Sequence, residues 1–294
     1  MLELTQKELT YDHNESTPTV GLALGGGGAK GFAHTGVLRV LRNAGIEVHA
    51  KVGTSCGAAI GILDYFYTPD EIEKMLIDEL GAPTFRRKLP GGRYLELKHM
   101  LKSGAIRKML EKYLPANLRL EDLDPAYYVT TTDLVTGQCV VLSEGDAINA
   151  VMASMALPGF SDPVTELGDA AECPMDGGIT NNLPTSVLRE RNIDVVVGID
   201  VSGLDYKGDW TPKGDKPTAV EILKRVYEIR NKELLVQQKA LADVLIQPNT
   251  SEISLADLGK IGQIIEAGEE AAMKTLPKLQ RMIDLAQEAC MIAV

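Results

Sequence analysis

This sequence has few of the features that assign a function at once. Its 294 residues include only four cysteines and four histidines. The cysteines lack the spacing of metal ligands, which predicts neither a zinc site nor a structural disulfide and fits a reducing compartment; they are Cys56, Cys139, Cys173 and Cys290. No segment reaches the roughly 18 consecutive apolar residues of a membrane span. The polar residues 1–17 lack the basic start and apolar core of a secretion signal, so we expect a cytoplasmic protein.

Positive charge is also scarce, because 30 lysines and arginines stand against 41 aspartates and glutamates, a net charge of −11. This balance argues against a nucleic acid partner. One window departs from it, because residues 86–112 contain nine basic and two acidic side chains, a net +7 that leaves −18 for the rest of the chain. The window is either a solvated surface helix with its flanking loop or a face that contacts an anionic membrane surface, where each basic side chain contributes on the order of 1 kcal/mol.

The most informative motif is Gly53-Thr54-Ser55-Cys56-Gly57, which follows a short apolar strand pattern and opens a helix of small residues. This is the context that the Gly-x-Ser-x-Gly nucleophile elbow requires. A serine there lies on a sharp turn between strand and helix, and the flanking glycines leave room for the tight backbone and for a substrate carbonyl. The motif predicts an acyl-transfer enzyme with Ser55 as its nucleophile.

A second motif, the glycine-rich loop of residues 25–31, also lies between a strand-like run and a helical pattern. Backbone N–H groups at such a helix start favour an anion. The loop contains Gly-x-Gly-x-x-Gly, but a dinucleotide site needs an acid at the C-terminal end of the next strand, and the nearest acid, Glu47, is at its beginning. Lys30 lacks the following Ser or Thr of a Walker loop. What remains is the oxyanion of a tetrahedral intermediate, and we expect no cofactor.

The base for Ser55 is not expected to be a histidine. The α/β-hydrolase triad runs in the order Ser, acid, His, and only His99 follows Ser55, in a stretch rich in lysine and arginine. The better base is Asp176, which ends a short segment and is followed by two glycines, as expected of a loop at the active edge of a sheet.

Taken together, Gly-Gly-Gly-x-Lys-Gly, Gly-x-Ser-x-Gly and Asp-Gly-Gly, in that order, resemble the patatin-like phospholipases, in particular the small bacterial members. The resemblance includes residues 32–38, 153–159 and 181–184, and it covers residues 18–275. It implies a serine hydrolase that cleaves acyl esters of lipids, phospholipid or lysophospholipid, through an acyl-enzyme intermediate. The alternative is a non-catalytic lipid-binding or regulatory module on the same fold.

The resemblance also implies the site residues. Ser55 and Asp176 are expected to form a catalytic dyad without histidine, and the N–H groups of Gly26, Gly27 and Gly28 are expected to form the oxyanion hole. An aspartate with a pKa of about 3.9 is a poor base for a hydroxyl near neutral pH. We therefore expect the site of Asp176 to be partly desolvated, with bound lipid excluding water.

Two positions depart from the family pattern. Cys56 stands where Met or another apolar residue is expected, and Gly25 stands where plant members have Asp. The N–H of Cys56 is a candidate further oxyanion donor. Lys30 is either a surface charge or a residue that helps to hold the loop and contacts a phosphate, and His34 is expected to be a structural hydrogen-bonding residue.

Strand and helix patterns alternate along the chain, which predicts an α/β fold, a three-layer sandwich with a mainly parallel central sheet. We expect a single domain over residues 18–294 after the polar segment 1–17. Strands are predicted near residues 19–24, 48–53, 127–133, 138–143, 194–200 and 243–247, and helices near 32–44, 56–67, 69–80, 97–113, 146–154, 185–191, 218–240 and 264–289. The last helices either close the sheet or mediate self-association as a homo-oligomer.

Overall fold

A computed structural model of the chain describes residues 17–81, 104–203, 217, 219–253 and 258–293. The strands are Val20–Leu24 (β1), Ala50–Thr54 (β2), Ala126–Asp133 (β3), Gln138–Leu142 (β4), Pro174–Asp176 (β5), Val195–Ile199 (β6) and Val244–Ile246 (β7). The helices are Ala33–Asn43 (α1), Cys56–Leu63 (α2), Pro69–Leu80 (α3), Ala105–Tyr113 (α4), Ala147–Ser154 (α5), Thr185–Arg189 (α6), Ala219–Ala240 (α7) and Ile261–Ala293 (α8).

The described strands form one sheet, in which β4, β3, β2, β1, β6 and β7 are neighbours in that order. β1, β2, β3, β6 and β7 run parallel, and β4 is antiparallel to β3 after a turn at Gly137, whose φ is 71°. Parallel strands are covered on both faces, and β1, β2 and β6 are buried at every position. The C-terminal ends of the parallel strands meet at one edge, where open α/β sheets bind their ligands.

The short strand β5 joins the sheet end to end with β2. β2 pairs with residues 126–130 of β3, and β5 pairs with residues 131–133 in the antiparallel direction. Because β4 occupies the other edge of β3 over those residues, β5 lies on the edge that β2 uses. Asp176, the last residue of β5, pairs with Thr131, next to the pairing of Thr54 with Thr130. This arrangement places Asp176 beside the turn that follows β2.

Helices cover both faces of the sheet. On one face, α1, α2 and α8 pack over side chains such as Leu22 and Leu24 of β1. On the other face, α6 and α7 contribute Leu188 and Leu235 to a second core that includes Ala23. Successive residues of one strand therefore point into different cores, as the period of a strand requires. The result is the three-layer α/β sandwich that the sequence predicts.

Helices α1 and α8 approach each other through two glycines. A Cβ added to Gly36 would overlap the carbonyl oxygen of Ile265, and one added to Gly268 would overlap the carbonyl oxygen of Ala33. Backbone atoms cannot move aside as the end of a flexible side chain can. Glycine at both positions therefore lets α8 pack closely on α1.

We expect Gly36→Ala to lower the free energy of unfolding by about 2–3 kcal/mol, because its methyl group overpacks the crossing of α1 and α8. Chemical denaturation measures the loss. The matched control is Gly262→Ala in α8, where an added Cβ meets no atom within 4 Å and the helix propensity of alanine adds up to about 1 kcal/mol. Equal stability of the two variants would contradict the close crossing.

The predicted elements are present with bounds that differ by a few residues. α3 begins at a capping box formed by Thr68 and Glu71, with Pro69 at its first position, as the spacing predicts. The helix predicted over 56–67 ends earlier, at Leu63. The strand β5 is an addition, because three residues are too few to show a period in the sequence.

Part of the predicted organisation lies outside the described residues. The segment 1–17 does so except for Thr17, as does the first part of the helix predicted over 97–113. The basic window, residues 86–112, is described only from residue 104, where α4 carries Arg107, Lys108 and Lys112. Lys112 forms an ion pair with Glu79 at 2.5 Å. Of the helices described, none combines the length and the apolar run that a bilayer crossing requires.

Candidate active site

The turn between β2 and α2 has the geometry of a nucleophile elbow. Ser55 adopts φ 53° and ψ −123°, a conformation that residues with a Cβ rarely adopt, and it precedes the first residue of α2. A Cβ added to Gly57 would overlap the carbonyl oxygen of Leu24, and one added to Gly53 would lie 2.5 Å from Cα of Ala58. Both glycines of the motif are therefore required by packing around the turn.

The hydroxyl of Ser55 donates a hydrogen bond to Oδ2 of Asp176 at 2.8 Å. The other carboxylate oxygen, Oδ1, accepts from the N–H of Gly178 at 2.7 Å. The backbone of Asp176 is also held, because its N–H donates to the carbonyl oxygen of Ala156 and its own carbonyl accepts from the Thr132 hydroxyl. The structure thus brings the two predicted residues together and fixes the carboxylate on both sides.

Asp176 is only 3 % exposed. Burial raises the pKa of its carboxyl to about 6, although the hydrogen bonds from Gly178 and Ser55 lower it. A carboxyl with this pKa is still ionised at pH 7 and is a stronger base than an aspartate in water. The electrostatics therefore suit an acceptor for the proton of Ser55.

The backbone of the elbow is held by a residue whose role sequence reasoning missed. The N–H of Ser55 donates to Oγ of Ser154 at 2.7 Å. Ser154 is fully buried at the end of α5, so this contact ties the strained turn to the neighbouring helix. Ser154 lies within residues 153–159, one of the segments that carry the family resemblance. That resemblance is the sequence signal that points to a role for Ser154.

The glycine loop lies against Ser55, since a Cβ added to Gly26 would be 3.3 Å from Cβ of Ser55. However, the N–H of Gly26 donates to the carbonyl oxygen of Asn182 at 2.9 Å, and the carbonyl of Gly26 accepts from Nδ2 of the same residue. This N–H is therefore not available to an oxyanion, which corrects the hole expected from Gly26, Gly27 and Gly28. Within the described part of the chain, the N–H groups of Gly27 and Gly28 have no acceptor and are the candidate donors.

The two histidines that the structure describes do not contact Ser55. Nε2 of His34 lies 2.8 Å from the carbonyl oxygen of Gly25. Burial lowers the pKa of His34 to about 4, so the ring is neutral and Nε2–H donates to that carbonyl. His49 accepts from the N–H of Val20 at the start of β1, the end of the sheet away from the elbow. His34 thus has the structural role that the sequence predicts for it.

Two further side chains, Lys30 and Cys56, lie near the glycine loop. Lys30 is buried and donates from Nζ to the carbonyl oxygen of Ser202 at 2.8 Å, so it ties the loop to the end of β6 and is not a surface charge. Cys56 packs its Sγ against Gly31. Burial and the nearby carboxylate of Asp176 raise the pKa of Cys56 to about 12, so its side chain remains a thiol.

The backbone strain at position 55 can be tested by stability alone. We expect the free energy of unfolding of Ser55→Gly to be about 1 kcal/mol higher than that of Ser55→Ala, because glycine adopts a positive φ without steric cost. Both variants lose the hydroxyl and its hydrogen bond to Asp176, so the difference in stability between them measures the cost of the positive φ at position 55. A denaturation midpoint that is higher for the alanine variant would contradict the strained turn.

A serine elbow beside a buried carboxylate and a glycine loop, on a three-layer α/β fold, is the arrangement of an ester hydrolase. Comparison with known proteins gives the family. The model of the patatin-like phospholipase family matches residues 22–189, more than half of the chain. The chain therefore belongs to the patatin-like phospholipase family.

Individual relatives agree with this assignment. The chain is 32% identical over 275 residues to the patatin-like phospholipase domain-containing protein ZK370.4 of Caenorhabditis elegans, covering 85% of this chain and 20% of that protein. It is 26% identical over 291 residues to the lysophospholipase NTE1 of Pyricularia oryzae, covering 89% of this chain and 19% of that protein. The chain thus spans about a fifth of the length of these curated relatives. Both are eukaryotic, so the likeness is not particular to bacterial members.

A solved structure supports the fold. The structure of VipD from Legionella pneumophila superimposes with a TM-score of 0.52 at 16% sequence identity, covering 90% of this chain and 67% of that one. At this identity the likeness concerns the architecture of the sheet and its helices. It agrees with the mainly parallel sheet and the helical layers described above.

Proposed function

We propose that this chain is a serine hydrolase that cleaves acyl esters of lipids, with phospholipids or lysophospholipids as the substrate class. The observation that carries the proposal is the 2.8 Å hydrogen bond from Ser55 to the buried carboxylate of Asp176, in an elbow that lies against a glycine loop. Membership of the patatin-like phospholipase family, and relatives named for phospholipase and lysophospholipase activity, support a lipid substrate.

In the proposed reaction, Asp176 accepts the hydroxyl proton while Oγ of Ser55 attacks the ester carbonyl. The N–H groups of Gly27 and Gly28 stabilise the resulting oxyanion, and a donor in such a hole contributes roughly 3 kcal/mol. Asp176 then passes the proton to the leaving alcohol, and the acyl group stays on Ser55. Water attacks this acyl-enzyme with Asp176 again taking a proton, and collapse releases the fatty acid and restores the hydroxyl.

The proposed place of action is a membrane surface in the cytoplasm, since lipid esters are concentrated in bilayers. All four cysteines are free in the structure, which suits a reducing compartment. The basic window, residues 86–112, stays a proposed contact with anionic lipid. Its described basic side chains, Arg107, Lys108 and Lys112, are on α4, together with the acidic Glu111.

The proposal predicts a single nucleophile. Ser55→Ala is expected to abolish hydrolysis of a short p-nitrophenyl ester and to abolish covalent labelling by a fluorophosphonate probe, because both reactions need Oγ of Ser55. Peptide mass spectrometry of the labelled wild-type protein should locate the probe on Ser55. Ser161→Ala, which removes another hydroxyl from the chain, serves as the control and should retain both activities.

Two results would count against this assignment. Labelling on Ser154 or Ser161, or unchanged turnover in Ser55→Ala, would mean that the elbow does not supply the nucleophile. A wild-type protein that binds lipid but neither hydrolyses any ester nor reacts with the probe would be the non-catalytic lipid-binding module.

Asp176→Asn is expected to lower turnover by roughly 10²–10⁴-fold, the range for loss of a general base. The pH profile of the wild-type protein gives a second measure. Because only the carboxylate accepts a proton and burial raises the pKa of Asp176 to about 6, kcat/KM should fall about tenfold per pH unit below pH 6 and level off above it. The asparagine variant should lack this acidic limb.

A profile that stays level down to pH 4 would contradict the raised pKa of Asp176. The control for the histidine-free mechanism is His34→Ala, with its stability measured in parallel. Equal loss of turnover in this variant, at unchanged stability, would show that a histidine takes part in catalysis.

A further inference from the structure

Helix α7 presents a row of apolar side chains to solvent. Ile222, Val226, Ile229 and Val236 are 46%, 58%, 51% and 65% exposed, and we call them the α7 ridge. Their spacing of four, three and seven residues places them on one face of the helix, while Leu235, on the other face, is buried against the sheet. Single exposed apolar residues are ordinary on protein surfaces, but an aligned row of four indicates a contact surface.

The N-terminal half of α7 lies beside the candidate active site. α7 leads into β7, which runs parallel to β6, so the helix begins at the sheet edge that carries Ser55. Arg230 donates from Nη1 to the carbonyl oxygen of Ile179, three residues after Asp176. The part of α7 that precedes Arg230 extends for about 16 Å at 1.5 Å per residue. Three of the four ridge residues lie in this part, at the rim of the site.

The charges around the ridge are mainly basic. Of the described charged side chains of α7, Arg225, Arg230 and Lys232 lie beside the ridge and Glu233 lies on it, while Lys239 forms an ion pair with Asp200 at 2.6 Å. At 100° per residue, Arg225 and Lys232 flank one side of the ridge and Arg230 flanks the other. An apolar face with basic flanks is the composition of helices that lie in the interface of a bilayer containing anionic lipid.

We propose that the α7 ridge docks this protein on a lipid bilayer, with Ile222, Val226 and Ile229 inserted at the headgroup boundary and the active-site edge facing the membrane. The inference rests on the proposed function, since docking in this orientation brings the ester of a bilayer lipid towards Ser55. Glu233 lies between Ile229 and Val236 on the same face, so insertion is confined to the three ridge residues that precede it, and pairing of two copies along the whole ridge would bury this charge.

The test is vesicle co-sedimentation in a Ser55→Ala background, where no lipid is consumed. Val226→Glu combined with Ile229→Glu is expected to lower binding to vesicles of phosphatidylcholine and phosphatidylserine about tenfold or more, because two apolar contacts become charges that anionic lipid repels. The matched control combines Met273→Glu with Leu285→Glu on α8, at side chains of similar exposure, 55% and 47%. This control should bind as the parent protein does.

Hydrolysis by the protein with Ser55 intact separates docking from chemistry. The ridge variant should retain its turnover of a short p-nitrophenyl ester and lose its turnover of vesicle lipid. A wild-type protein that hydrolyses no ester would refute the proposed function, while vesicle binding by Ser55→Ala would still decide the docking.

Three results would overturn the docking proposal. The first is absence of vesicle binding by the parent protein, and the second is equal binding by the ridge variant and the α8 control. The third is a dimer in light scattering that the ridge variant converts to a monomer while vesicle binding is kept, which would assign the ridge to a second copy of the chain.

Discussion

The pairing of β5 with the end of β3 is the contact on which the proposed site depends. β3 continues for three residues past its pairing with β2, and β5 uses that extension. A three-residue strand has few ladder hydrogen bonds of its own. The hydroxyls of Thr131 and Thr132 therefore matter, because they donate to the carbonyl oxygens of Met175 and Asp176 and hold β5 from the side. Without this pairing, the carboxylate of Asp176 would not be held within reach of Ser55.

The buried carboxylate carries an energetic cost that its hydrogen bonds only partly offset. Raising the pKa of Asp176 from 3.8 to about 6 corresponds to a net cost of roughly 3 kcal/mol for the ionised form, the amount by which burial outweighs the hydrogen bonds. The hydrogen bonds from Gly178 and Ser55 act in the other direction, and burial is the larger effect. Ser55 adds strain through its positive φ, and the hydrogen bond of its N–H to Ser154 holds the turn in place. The buried carboxylate of Asp176 and the strained backbone of Ser55 thus both lower the stability of the fold, and both are conditions for a reactive Ser55–Asp176 pair.

The features predictable from the sequence are those with a local cause. Gly53 and Gly57 are needed by the turn itself, so the motif predicted both the elbow and its glycines. The engagement of the Gly26 N–H could not be predicted, because its partner, Asn182, lies 156 residues away and only the sheet brings the two together. The burial of Lys30 has the same kind of cause, since its acceptor follows β6. β5 was missed because it is too short for a period.

The structure also changes the source of the desolvation that a histidine-free mechanism requires. From the sequence, bound lipid was expected to exclude water and so raise the basicity of Asp176. The fold already does this, because the protein's own atoms bury Asp176 almost fully and this burial raises its pKa. Ser55, in contrast, is partly exposed. In the proposed mechanism, a lipid that covers Ser55 therefore acts mainly on the oxyanion, by removing water that competes with the candidate donors, the N–H groups of Gly27 and Gly28. The basicity of Asp176 is then a property of the fold, shared by long and short ester substrates alike.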